Sequence, residues 1–86
     1  MPRISEFFGI VVYMYYRDHN PPHFHAIYSG QEVQIAFETM ALLNGGLPPR
    51  AMGMVIDWIE LHREELRHDW EKARNGLPLD AIEPLR

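Results

Sequence analysis

The chain has no cysteine. That absence excludes disulfides, thiolate-bound zinc and a cysteine nucleophile, and it is compatible with a reducing, cytoplasmic setting. Lysine occurs once, at Lys72, so any cation that residues 1–71 offer to a phosphate is an arginine. Arginine is the better fork for phosphate or carboxylate. No stretch approaches the roughly 20 apolar residues that span a bilayer. Met1 to Phe8, with Arg3 and Glu6, lacks the long apolar run of a signal peptide. The expectation is a soluble protein with no membrane partner. Internal repeats and low-complexity segments are absent as well.

Positive charge is also in short supply, with a net charge of −4 at pH 7. The deficit is uneven: residues 1–50 balance at about −1 and residues 51–86 at about −3, so the acidity sits on the C-terminal part. An acidic chain argues against tight nucleic-acid binding, yet its N-terminal half is nearly neutral. Length and apolar content set the class. Eighty-six residues, 47% of them hydrophobic, make one folded domain over 1–86 rather than a disordered segment. A core this small leaves a net stability of about 5 kcal/mol, and a partner chain, a second copy included, would add to it.

Ile10 to Tyr16 is β-branched or aromatic almost throughout and reads as a strand. In it Ile10, Val12, Met14 and Tyr16 look core-facing, with Tyr13 and Tyr15 on the other side. Asp18 to Pro22 breaks the strand, because Asn, Asp and two prolines favour a turn. A second strand runs from His23 to Tyr28 and a third from Gln31 to Glu38, joined by Ser29-Gly30 as a two-residue turn. That turn sets the register: Tyr28 opposite Gln31, Ala26 opposite Val33, His25 opposite Gln34, His23 opposite Ala36. Phe24, Ala26, Val33 and Ile35 then share the core face. His23 and His25 share the other, about 7 Å apart along the strand, on a face expected not to pack against the core.

Ala41 to Pro49 reads as a loop with a turn at Asn44-Gly45-Gly46. Pro48-Pro49 suits a first helical turn, where the missing donors cost nothing. The spacing of Met52, Val55, Ile59, His62, Leu66 and Trp70 predicts a helix over Pro49 to Arg74, ended by Asn75-Gly76. Straight, it would be about 39 Å long, more than the sheet beneath it, so its distal end overhangs, bends or meets a partner. Leu79, Ile82 and Leu85 can dock the tail back. The predicted fold is α+β: a three-stranded antiparallel sheet with a long C-terminal helix packed on one face.

Three of the five histidines fall within His19-Asn20-Pro21-Pro22-His23-Phe24-His25. Imidazole titrates near neutrality and is the commonest metal ligand. Two chemistries fit. In one, His19, His23 and His25 hold a divalent metal, with Asp18 or Glu32 adding oxygen. In the other, His23 and His25 act as acid and base without a metal. Arg17 then serves as the catalytic cation, and Arg17 and Arg50 contact phosphate, as a ribonuclease acting through a 2′-hydroxyl would need. Against both stands a plain polar strand face. Tyr13 and Tyr15 could stack bases or simply fill space. His62, in the helical stripe, and His68, on its polar side, read as structural. Asp57, Glu60, Glu64 and Glu65 with Arg63 and Arg67 read as a solvated helix face, or as a dock for a basic partner.

Pro2-x-Ile4, Phe7 or Phe8 before Gly9-Ile10, Asp18-His19-Asn20-Pro21-Pro22-His23-Phe24-His25-Ala26 and Tyr28 form a pattern. It continues with Gly46-x-Pro48-x-Arg50, Trp58-x-x-x-His62-Arg63-x-Glu65-Leu66, Trp70 and Ile82-x-Pro84-Leu85. In these, over nearly its whole length, the chain resembles the family catalogued as domain of unknown function 4160. The resemblance implies a small bacterial protein encoded beside another small protein, in a context similar to toxin–antitoxin pairs. It therefore implies a cognate antitoxin-like partner. The first expectation is a toxin-like component acting on RNA through the histidine face. The second is a non-catalytic protein-interaction or regulatory module, with or without a bound metal.

Overall fold

A computed structural model describes residues 2–86. Five strands precede one helix: β1 (Arg3–Phe7), β2 (Ile10–Tyr13), β3 (His23–Tyr28), β4 (Gln31–Ala36), β5 (Leu42–Gly45) and α1 (Pro49–Arg74). The strands form one antiparallel sheet in sequence order. The α+β class and the C-terminal helix match expectation, but the sheet has five strands, not three.

Both additional strands lack period-2 alternation. In β1 a register shift between Arg3 and Ser5 turns Ile4 and Ser5 both inward, as a bulge does. In β5 all four residues are exposed, so backbone pairing is its main tie: Gly45 opposite Val33, Asn44 opposite Gln34 and Leu42 opposite Ile35, with Leu43 the extra residue at a register shift. The Asn44-Gly45-Gly46 signal for a turn thus marks the end of a strand. Gly45 has φ +66°, and a Cβ there would overlap the Glu32 carbonyl oxygen. Only glycine fits.

The hairpins follow turn chemistry. Phe8 and Gly9 join β1 to β2, and Ser29 and Gly30 join β3 to β4, all four with positive φ. That is the turn whose twist matches paired strands. Pairing of β3 with β4 has the expected register throughout. Ile10, Val12 and Met14 are fully buried as anticipated, but Tyr16 is 42% exposed because β2 ends at Tyr13.

The helix begins and ends as expected. Met52 donates to the Pro48 carbonyl at 2.9 Å. At the other end, Leu77 closes onto the Lys72 carbonyl at 2.9 Å, past Gly76 with φ +69°. It is not straight: His62 leaves helical geometry at φ −127°, ψ 23°. The first half covers the sheet, where Trp58 is fully buried between Phe7 and Phe24, with centroids 5.4 and 5.6 Å away. Beyond the bend the helix meets the loops at the sheet's end. There Arg63 Nε donates to the Phe37 carbonyl at 2.9 Å, and Arg67 grips Glu38 through Nε and Nη2. Ala73 accepts the Arg17 amide at 3.2 Å. The tail packs back, with the Ile82 amide on the Ile4 carbonyl at 2.7 Å and Trp58 Nε1 on the Glu83 carbonyl at 2.8 Å. Among the described residues no helix is long and apolar enough to cross a membrane.

Candidate functional site

The connection between β2 and β3, residues 14–22, carries Asp18 back over the start of β3. Asp18 Oδ2 lies 3.0 Å from His23 Nε2 and 3.3 Å from His25 Nε2. The two histidines, two positions apart on β3, turn the same way, so one carboxylate from the loop meets both. The opposite ring nitrogens are occupied as well. His23 Nδ1 is 2.7 Å from the Pro21 carbonyl oxygen, and His25 Nδ1 is 2.8 Å from Glu32 Oε2. Glu32 reaches it from β4, across the strand pair and diagonally from His25.

This face of the sheet is not bare, contrary to the expectation from alternation. His23 is 1% exposed and His25 6%. The Tyr15 ring lies over His25 at 4.2 Å, and the Trp70 ring from beyond the helix bend lies 5.4 Å from His23. The physical reason is that a strand's non-core face is free only if no other segment crosses it. Here the loop folds over it, and the Trp70 ring reaches His23 from the helix beyond the bend. Tyr13, opposite His25 in the register, shares this face as anticipated.

Electrostatics follow from the packing. Burial alone would push the Asp18 carboxyl up. The His19 amide, the His25 ring and the nearby His23 and His19 outweigh burial and hold it below the usual carboxylate range. The Tyr15 phenol is raised, first by burial, then by Glu32, Tyr13 and Asp18. His19 remains outside the cluster: its side chain is 73% exposed, and its Nδ1 meets the other carboxylate oxygen, Asp18 Oδ1, at 2.8 Å. Of the three histidines anticipated as ligands, two converge with Asp18 into a group whose donor atoms lie within 4.8 Å of one another. The third supports the carboxylate from outside.

The arginines do not converge. Arg17 is exposed beside Gly76 at the end of the helix, whereas Arg50 is exposed in its first turn. They cannot grip one phosphate together. His62 bonds Glu65 at 2.6 Å and packs on Trp58, and His68 is exposed, so neither joins the cluster. Asp18 was foreseen only as an accessory. Its position immediately before the His-Asn-Pro-Pro-His run was the available signal. Trp70 carried none, because its helical spacing places it in the core stripe. Asp69 beside it is 1% exposed, takes the Asp80 amide at 2.9 Å and leaves Oδ2 without a hydrogen bond among the described residues.

The sequence model of the family described as Domain of unknown function (DUF4160) matches residues 9–71, well over half of the chain and all of the histidine cluster. No curated protein matches, and no solved structure does.

Proposed function

We propose, from the premise that the chain belongs to this family of unassigned activity, that it is a non-catalytic protein-interaction module. Its partner is a small protein that adds an extended segment to β5. The observation that carries the reading is the contrast between the two sheet edges. On the β1 edge, the chain's own tail is tied down by the Ile82 amide on the Ile4 carbonyl. Beyond β5, no described strand pairs. Sheets normally blunt such an edge with charge, proline or a bulge that twists it away. Leu42-Leu43-Asn44-Gly45 has neither charge nor proline; it does carry an irregularity at Leu43 against Gln34 and Ile35, and Leu42 and Leu43 are 59% and 37% exposed. Strand addition satisfies the free backbone groups and gives the leucines a surface to cover. The partner in this reading is the cognate antitoxin-like protein that the resemblance implies.

The RNA reading asks His23 and His25 to touch a phosphodiester. With side chains 0% and 8% exposed and their ring nitrogens turned onto Asp18, Pro21 and Glu32, they are poorly placed to do so. The test is co-expression with the antitoxin-like protein that the resemblance implies. The complex should form with wild-type protein and be lost in a Leu42→Glu, Leu43→Glu double variant whose circular dichroism is unchanged. A complex indifferent to that variant overturns the β5 assignment. Cleavage of RNA by pure wild-type protein, lost on His25→Ala, overturns the non-catalytic reading.

A further inference from the structure

We infer that Asp18, His23 and His25 form a zinc-type divalent metal site, with Asp18 Oδ2 and the two Nε2 atoms as ligands. The far side of each ring fixes its tautomer. A carbonyl oxygen only accepts hydrogen bonds, and so does a carboxylate, so Pro21 and Glu32 require that both Nδ1 atoms donate. With Nδ1 carrying the hydrogen, each neutral ring presents a lone pair at Nε2. Both lone pairs face Asp18 Oδ2, itself an acceptor. Two lone pairs held 3.0 and 3.3 Å from one carboxylate oxygen repel it unless a proton or a metal cation lies between them, and the convergence of all three atoms suits a single shared cation.

Geometry and surroundings match a metal. Zinc bonds of about 2.0–2.1 Å to nitrogen and oxygen in a tetrahedron set ligands about 3.3 Å apart. Two of the three edges already have that length, and the third is within 4.8 Å. His23 Nε2 is fully buried and has no hydrogen-bond partner among the described residues. Asp18 Oδ2 lies close to it but off the line of a ring N–H bond. Orientation of each ligating imidazole by a carbonyl or carboxylate at its other nitrogen is the usual outer support of a metal site. The His19 ring and amide hold Asp18 Oδ1, which leaves Oδ2 to the ion. Two imidazoles and one carboxylate favour zinc and its neighbours over magnesium or calcium, which prefer all-oxygen shells. Three protein donors leave the fourth position to water, and the side chain of Asp18, 16% exposed, marks the way in.

Such an ion would fasten the β2–β3 connection to the start of β3. The first readout is zinc uptake by chelator-treated wild-type protein. One ion per chain is expected, with a melting temperature raised by about 10–20 °C at a hundredfold excess over Kd. The second is the long-range ¹⁵N spectrum of the histidines, which needs no variant. Zinc should move the Nε2 signals of His23 and His25 and leave those of His62 and His68 in place. Uptake should fall at least tenfold in Asp18→Asn and persist in a His62→Ala, His68→Ala double variant. No uptake by folded wild-type protein overturns the site, as does uptake that shifts only His62 or His68. An unchanged Nε2 pair in the presence of bound zinc does so as well.

Discussion

Replacing Gly45 by alanine separates what holds β5 from what holds the rest of the fold. At φ +66° an L side chain costs about 1–2 kcal/mol by backbone strain alone. The new Cβ would also overlap the Glu32 carbonyl oxygen and stand 3.2 Å from its carbon, both main-chain atoms that cannot swing away. The chain has a low-cost escape. β5 buries no side chain and is tied by its pairing with Val33, Gln34 and Ile35 and by the Gly46 amide on the Glu32 carbonyl at 3.0 Å. Backbone hydrogen bonds contribute about 0.5–1.5 kcal/mol net each, and releasing four residues recovers about 1 kcal/mol of conformational entropy per residue. Peeling β5 is therefore the smaller loss. The expected result is a drop in global stability of about 1–3 kcal/mol, or about 5–15 °C in melting temperature. Amide hydrogen exchange of Leu42–Gly45 should become fast while that of β2 and β3 stays slow. Partner binding through β5 should disappear with it. Unchanged protection of β5, or uniform loss of protection across the sheet, would refute the reasoning.

Two further outcomes follow from the core. Trp58→Phe removes the indole donor to the Glu83 carbonyl and part of the ring volume wedged between Phe7 and Phe24. It should cost about 2 kcal/mol, and a thermal melt that does not move would refute it. The Asp69 carboxyl is raised, first by burial and then by the Asp80 and Glu65 carboxylates, against the opposing Asp80 amide and Lys72. The folded state therefore holds this proton more tightly than the unfolded one. Its stabilising effect grows as pH falls from neutral through the raised value towards the ordinary range near about 4, and is lost as pH rises. Asp18 and Glu38 have the opposite sign. Burial pushes Asp18 up, but its histidine neighbours hold it low; the Arg67 fork lowers Glu38. Both contributions fade below about 4. Asp69→Asn should therefore gain on wild type in denaturant melts as pH rises from about 4, and a difference that is pH-independent from there to neutrality would refute the assignment.

How much of this was legible depends on where the information lies. Local chemistry determined the helix, because Pro48-Pro49 and Asn75-Gly76 punctuate it and a 3.6-residue stripe runs between them. It also determined the β3–β4 register, because Ser29-Gly30 suits a two-residue turn with both residues at positive φ. The histidine run was conspicuous, and that His23 and His25 point to one side followed from strand geometry alone. Tertiary structure decided the rest. β1 and β5 are made by backbone bonding to distant partners, and backbone bonding leaves no mark on side-chain periodicity. The helix bends at His62, and beyond the bend Arg63 and Arg67 bond the Phe37 and Glu38 loop, contacts between residues far apart in the chain. Burial of the histidines depends on Trp70, 47 residues further along the chain than His23, and on a loop that returns Asp18 to them. Sequence spacing states which residues share a face; only the closed fold states what covers it.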